Sequence, residues 1–515
     1  MFARFHPISS RGGILLLALF FALPVHGKTL HADNTLSGNC LTGYNVTSRS
    51  CSGGSATAYR TLTEAVAALL AGDTLLVRGG NYSERLAPPR SGDSSAYITI
   101  KAYPGETATI TGNLDLGISL TGRSYLIIDG LKIDNVVGWG RLEDSNNNII
   151  QNNRFTRATA GGTTGGLKLV RSNNNKILNN TFEDGNDNVV VQESDRNLIQ
   201  DNIFYRGRHS LLSVRCSNYN IMRRNSFSNP DQKAAEIYDC EGTSDAPIKL
   251  DATKRNLFEA NVFTLTLGSG QNYRYNGIQY SGQNGIVRHN VFYDNQGGAL
   301  NFQVYSDEAL YNYGHRVYNN TFYNNRCHGL AASANSSPSR YYDNRVKNNL
   351  LYKNLGCNGE SAQTDIGNTT AVIMENNAIV STSPSFVNET TRDLHLKQGS
   401  SMIDAGVPLT QTSSAGSGTQ MAVDDVGYFS DGLGIAGEAG DLIQLSGQTQ
   451  TARITAINTA TKTLTLSQPL TWTNRQGVQL IYSGTSPDMG AYEYQTGSTV
   501  VTPSPPTNLQ AAAAQ

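Results

Sequence analysis

Along much of the chain an asparagine stands two residues ahead of an aromatic or aliphatic residue, at a fixed offset that scattered surface polars would not keep. The series runs QNNRF to Phe155, LNNTF to Phe182, QDNIF to Phe204, RRNSF to Phe227, EANVF to Phe263, RHNVF to Phe292 and YNNTF to Phe322. KNNLL at Leu351 and ENNAI at Ile379 continue it, so the asparagines are Asn153, Asn180, Asn202, Asn225, Asn261, Asn290, Asn320, Asn349 and Asn377. Upstream, IIDGLKI reads with Asp129 in the asparagine place and Leu131 in the apolar one, for ten turns in all. The spacings of 22 to 36 residues suit one circuit of three short strands with their turns. The pattern predicts an all-β fold, a single-stranded right-handed parallel β-helix. Each aromatic then faces its copy on the next coil at about 4.8 Å, burying a continuous stack that no single repeat buries alone. A side-chain amide both donates and accepts, so a column of asparagines can satisfy the turn backbone and itself. Leucine-rich repeats would need LxxLxL on every repeat, and a propeller four strands per unit.

The flanks read differently. TLTEAVAALLAGDTLLVRGGNYSE predicts a short amphipathic helix over 62–70 and a strand over 74–78, the helix capping the open hydrophobic end of the solenoid. After the ladder, DLHLKQGSSMIDAG and PDMGAYEY (487–494) bracket a segment centred on ARITAINTATKTLTLSQPLTW, whose alternation around an Asn-Thr-Ala-Thr-Lys turn predicts β-hairpins. Arg4 and Arg11 precede the apolar run from Ile14 to Leu23, followed by small residues around Gly27, the order of a secretory signal peptide with a run too short to span a membrane. The expected organisation is a signal peptide over 1–27, cap and first coil over 28–90, and β-helix over 91–412. An inserted β subdomain over 413–486, a closing signature over 487–495 and a disordered linker over 496–515 follow. No later segment has 18 apolar residues in a row, so a soluble protein outside the cytoplasm is expected, secreted, on the cell surface or in the periplasm, and monomeric.

Composition adds to this. Gly 51 and Tyr 25 with only 16% charged residues fit strands and turns better than helices. A net charge of −1 leaves no basic field of the kind that draws a protein onto nucleic acid or anionic lipid. Six cysteines in an oxidising compartment predict three disulfides, Cys40–Cys51, Cys216–Cys240 and Cys327–Cys357. CxxC and CxxCH spacings, which would favour zinc or haem, are absent from the sequence.

The AGDTLLVRGGNYSE opening, the IIDGLKI turn, the NN-x-F ladder and the IDAG…PDMGAYEY ending together resemble the pectate-lyase-like β-helix superfamily of bacterial secreted proteins, over roughly 57–412 and 485–494. That resemblance implies the scaffold; lyases, hydrolases, epimerases and adhesins all share it. Aligning LKLVR, VVVQE, LSVRC and IKLDA sends Leu169, Val191, Val214 and Leu250 inward. Two outward columns follow: Val170, Gln192, Arg215 and Asp251, beside Lys168, Val190, Ser213 and Lys249. Tyr280, Asn301, Gln303 and Tyr305 extend this face, over a length on the order of 20 Å that suits an oligosaccharide.

Elimination of a uronate needs a cation at the carboxylate, a base for the C5 proton and an acid for the leaving oxygen. Arg215, Lys249 and Tyr280 have that chemistry on the expected face, with His209 as an alternative base. Lys168, Gln192, Asp251, Asn301, Gln303 and Tyr305 are then expected to contact an acidic polysaccharide. The segment AAEIYDCEGTSDAP offers Glu236, Asp239, Glu241 and Asp245, with Asp187 nearby, as Ca²⁺ ligands; the competing reading is a solvated acidic loop pinned by Cys240. SLLSVRCSNYNIMRRNSF resembles the arginine strand of chondroitinase B and similar alginate lyases, which implies Arg215 as the catalytic arginine. Gln192 stands where that family has its lysine, so Lys249 takes over or the chain departs from that type. An ion pair with Asp251 is the plain structural alternative for Arg215, and His289, His315 and His328 are expected to be structural. Paired aspartates of the polygalacturonase kind are not evident on these columns. Three functions remain open: a polysaccharide lyase, a non-catalytic glycan-binding surface or matrix protein, and a uronate C5-epimerase.

Overall fold

Backbone amides that cannot pair within a three-residue strand pair with the next coil instead. A computed structural model describes residues 27–160, 165–238, 253–266, 276–302, 311–332, 341–357, 361–366 and 370–495. A 15-stranded sheet takes one strand from each coil, among them Leu126–Asp129, Ile149–Gln151, Lys176–Leu178 and Leu198–Gln200. A 20-stranded sheet supplies the others, with Arg154–Ala158 and Leu167–Val170 merging into the long strands Thr181–Gln192 and Ile203–Arg215 on the following coils. Pairing from coil to coil is parallel in both, while Cys40–Tyr44 at the N-terminal edge of the first sheet is antiparallel to Ala56–Tyr59.

The ladder residues occupy the inside of this coil. Phe155, Phe182, Phe204, Phe227, Phe263, Phe292 and Phe322 are all fully buried, with successive ring centroids 4.7 to 5.1 Å apart and rings within 16° of parallel. Burying such a side chain is worth about 1.5–3 kcal/mol, and Trp139 packs against the first two rings. The asparagines form a continuous buried chain. Asn202 Oδ1 accepts from Asn180 N at 2.9 Å and from Asn180 Nδ2 at 3.1 Å, while Asn202 Nδ2 donates to Ile177 O at 2.8 Å and to Asn225 Oδ1 at 3.0 Å. The same set repeats at Asn225, Asn261, Asn290, Asn320 and Asn349. The residue before each ladder asparagine turns the chain with positive φ, as at Asn179, Asp201 and Arg224.

The IIDGLKI turn shifts the expected register. Ile133, not Leu131, pairs with Phe155, and Leu131 N donates to Asn153 Oδ1 at 2.9 Å. Gly130, at φ 71, holds the turn position where later coils have Asn152 and Asn179, so Asp129 pairs with Gln151, two residues ahead of the asparagine column.

At the N-terminal end the helix Leu62–Ala67 buries Leu62, Ala65 and Val66 in the main core. It starts at Thr61, whose hydroxyl accepts from Glu64 N while donating to the Glu64 carboxylate, a reciprocal cap. Cys40–Cys51 and Cys327–Cys357 are disulfide-bonded. Cys216 is also in a disulfide, and its expected partner Cys240 lies outside the described residues, as do the expected signal sequence and tail.

The segment expected to form hairpins is a six-stranded antiparallel sheet in which Thr451–Asn458 and Thr463–Trp472 are joined through the Asn458 turn. Its Met421, Ile443, Ile454, Leu464 and Val478 share a core with Leu198, Ile221, Leu257, Ile286 and Tyr318 of the 15-stranded sheet. Charge fixes the docking: Arg288 pairs with Asp441 at 2.6 Å, Arg223 with Glu438 at 2.7 Å and Arg316 with Asp425 at 2.9 Å. The PDMGAYEY segment then returns to the coils, where Gly490 N donates to Asn348 O and Ala491 N to Thr321 Oγ1. Burial pushes Asp488 up to about 6 and, aided by the Asp488 charge, Glu493 up to about 8.

Two outcomes are expected. Asn202→Ala removes four buried hydrogen bonds and should cost about 3 kcal/mol or more in urea unfolding, since each stranded buried group costs about 1–3 kcal/mol; a loss under about 1 kcal/mol would contradict the ladder's role. Glu493 is held neutral in the fold but ionises in the ordinary carboxylate range when unfolded. Its stabilising contribution is therefore complete at acid pH and is lost as pH rises through about 8. Thermal unfolding across that range should show falling stability, with a smaller slope in Glu493→Gln.

Candidate functional site

On the second strand of each coil in the 20-stranded sheet, alternation splits side chains between core and exterior. Leu169, Val191, Val214 and Ile237 point inward into the main core. The outward columns run Lys168, Val190, Ser213, Glu236, Gln279, Asn301 and, beside them, Val170, Gln192, Arg215, Tyr238. The coil after Arg215 is thus built by Lys233–Tyr238 and not by IKLDA, so Glu236 and Tyr238 hold the places expected for Lys249 and Asp251. The 36-residue coil carries its extra length after this strand. Lys249, Asp251, Asp239, Glu241, Asp245, Gln303 and Tyr305 lie outside the described residues.

Tyr280 is a correction of a different kind. It pairs with the inward Ile237, is 1% exposed, and packs edge-on against Phe258 and His315. Gln279 takes the outward place, so the parity of the strand removes Tyr280 from the face. His289 and His315 are buried, and burial lowers them to about 4 and about 3; neither belongs to this face.

Three successive coils bring a charged cluster together. His209 Nδ1 lies 2.8 Å from Asp187 Oδ1 and 3.8 Å from Glu236 Oε1. Asp187 Oδ1 also accepts from Ser210 N at 3.1 Å, and Lys233 Nζ donates to Glu236 Oε2 at 2.5 Å. Both carboxylates are buried while the His209 side chain is 39% exposed. The hydrogen bond to Asp187 raises the His209 pKa against the opposing effect of burial, and the Glu236 charge raises it further. With Nδ1 committed to Asp187, Nε2 is the nitrogen left for proton exchange.

Beside it, Arg215 Nη2 donates to Gln192 Oε1 at 2.9 Å and Nη1 donates to Tyr238 Oη at 3.1 Å. Arg215 Nε is buried without a partner. Burial foremost, then the Glu236 charge, pushes the Tyr238 hydroxyl well above its usual range, so the phenol keeps its proton. Farther along, Lys168 and Asn301 are buried on the same outward column, and both amide atoms of Asn301 lack hydrogen-bond partners among the described residues.

Of the expected calcium ligands, Glu236 and Asp187 are described, and both are engaged by side chains of the chain itself. Lys233 places its ammonium on Glu236, where a cation would sit, and Asp187 is engaged by His209 and Ser210. Among the described residues, the group with metal-type ligands in reach of one another is Cys327, His328 and Cys357, whose sulfurs form a disulfide. The sequence reading passed over Lys233 as a site residue and Tyr238 as the partner of Arg215. The alternation of Glu236 and Tyr238 about Ile237 in KAAEIY is the available signal for Tyr238; Lys233 falls on the parity of the inward Ile237 and carries no such signal. Asp187→Asn should lower the His209 pKa toward its ordinary value in an NMR titration, because the first cause of the rise is removed; an unchanged or higher value would rule out the dyad.

A family description, a right handed beta helix region, matches residues 116–246 and 165–351. No curated protein sequence matches the chain. Among solved structures, it is similar to pectate lyase Pel9A at 13% identity, covering 91% of this chain and 96% of that one with a TM-score of 0.46. An alginate lyase from Paenibacillus sp. str. FPU-7 is 14% identical over 68% of this chain and 99% of that one, at a TM-score of 0.40. The periplasmic alginate epimerase AlgG is 12% identical over 60% and 77%, at 0.38. Coil-by-coil parallel pairing and the family match agree on the fold, a right-handed parallel β-helix.

Proposed function

We propose that the chain is a secreted carbohydrate-active enzyme, a polysaccharide lyase that cleaves an acidic glycan by β-elimination. The observation that carries this reading is the His209–Asp187 hydrogen bond set beside the Arg215–Tyr238 pair on one outer face. Arg215 meets the uronate carboxylate and stabilises the charge that spreads onto it when C5 is deprotonated. His209 Nε2 takes the C5 proton, with Asp187 and Glu236 favouring the imidazolium that forms. As the C4–O bond breaks and a C4=C5 double bond forms, the Tyr238 hydroxyl gives its proton to the departing oxygen. Asp187 acts through His209 and is a positioning residue. In this reading the base comes from the corner residue His209, so the glutamine at 192 is no obstacle.

Hydrolysis is the second reading to separate, because Asp187 and Glu236 bring two carboxyl groups to His209 from different coils, although a hydrolytic pair flanks the scissile bond about 5 Å or more apart. The products separate the two readings. With alginate, pectate and glycosaminoglycans as substrates, the lyase gives the ultraviolet absorbance of an unsaturated uronate, whereas hydrolysis gives new reducing ends without it. His209→Ala and Tyr238→Phe should each lower kcat by about 100-fold or more, and Arg215→Ala should lower kcat/KM at least as far. Absence of unsaturated product from every acidic glycan would overturn the lyase reading, and inverted C5 centres in an uncleaved polymer would instead indicate an epimerase.

A further inference from the structure

A groove of about 830 Å³ runs where the coils meet the six-stranded subdomain, and it shares no residue with the His209 cluster. That volume lies within the range of small-ligand sites, about 300–1,000 Å³. Seven cationic and four anionic side chains line it. All four carboxylates are already engaged: Asp343 by Arg316 and Arg345, Glu375 by Arg345 and Lys347, Asp425 by Arg316, and Asp424 by Arg475 at 3.8 Å. The lining as a whole thus carries more cationic than anionic side chains. Arg255 on the coil wall and Lys462 on the subdomain hairpin have no side-chain partner among the described residues.

A second observation concerns neutral groups. Tyr428 Oη and Gln411 Oε1, both on lining residues, are buried without a hydrogen-bond partner among the described residues. The Tyr428 ring lies 5.5 Å from the Arg316 guanidinium and 5.4 Å from the Lys347 ammonium. Unpaired buried polar atoms are costly and uncommon, and a ligand hydroxyl, which donates and accepts, has the chemistry to pair with either kind of atom. An anionic group suits the surplus charge on the walls. Hydroxyls and a carboxylate occur together on a sugar acid.

We infer that this groove is a saccharide-binding site for a uronate-bearing oligomer, separate from the outer face that carries His209. It holds an acidic chain at the junction of coil and subdomain, and its occupancy does not depend on the lyase reading. The ion pairs that dock the subdomain also set the width of the groove, so the walls are in place before a ligand arrives.

The test uses calorimetric titration of the full chain carrying His209→Ala, which suppresses turnover, with trimers of galacturonate, mannuronate and guluronate. Cellotriose serves as a neutral sugar and inorganic phosphate as a plain anion. At least one uronate trimer should bind, with cellotriose and phosphate at least about tenfold weaker. Tyr428→Phe should weaken uronate binding about tenfold, the scale of one buried hydrogen bond. Arg255→Gln with Lys462→Gln should weaken it further and reduce its salt dependence. Uronate binding unchanged by these variants would overturn the inference, as would phosphate binding as tightly as the trimers. The same groove variants on the His209 chain should keep the rate of any product formation, so failure of the groove and failure of the lyase reading register separately.

Discussion

One hydrogen bond, repeated, makes the coil possible: the amide of a buried asparagine accepting from the backbone of the coil before it. Each turn between short strands leaves N–H and C=O groups inside the molecule, where water does not reach them and an unmade bond costs about 1–3 kcal/mol. Asn180, Asn202, Asn225 and their successors close these groups and one another in a single line. Aromatic stacking follows from that line, because fixing the turn fixes the register in which Phe182, Phe204 and Phe227 meet. Remove the amides and the stack has no reason to stay in phase.

The chemistry is mounted on the same register. Once the ladder sets which residues pair, strand alternation presents one column outward and its neighbour inward. Glu236 and Tyr238 reach the face and Ile237 does not; Gln279 does and Tyr280 does not. His209 stands at the start of this strand face, close enough to Asp187 and Glu236 to feel both charges. A scaffold with many nearly equivalent coils thus acquires, on this face, a charged cluster drawn from three successive coils.

The subdomain is joined to the coils by two kinds of contact. Apolar side chains on the outside of the 15-stranded sheet, which a free-standing solenoid would expose, are covered by Met421, Ile443 and Leu464. Around them, Arg223, Arg288 and Arg316 meet Glu438, Asp441 and Asp425. Pairs as buried as Arg288 with Asp441 contribute little net stability but strongly disfavour any docking that leaves one partner alone. Orientation is what they specify, and the grooves along the junction follow from it.

The sequence by itself determined the coil, because the signal is local and repeated: asparagine, one residue, then an apolar residue, again and again. It also carried the helix that closes the N-terminal end of the coil, the hairpin at Asn458 and two of the disulfides. It carried Arg215 and His209 onto the candidate face as chemistry, but not their partners. Two local patterns were less legible. IIDGLKI was misread by two residues because Gly130 and Leu131 replace the asparagine pair, and Tyr280 was placed outward because a three-residue strand has too short an alternation to fix its own parity. Only the tertiary structure decided that Lys233–Tyr238 follows Arg215's strand, since where a 36-residue coil spends its extra residues depends on which segment pairs with the coil before. It alone brought Asp187 to His209, and the subdomain to the coils, because those contacts join residues from different coils and opposite ends of the fold, which no spacing along the chain records.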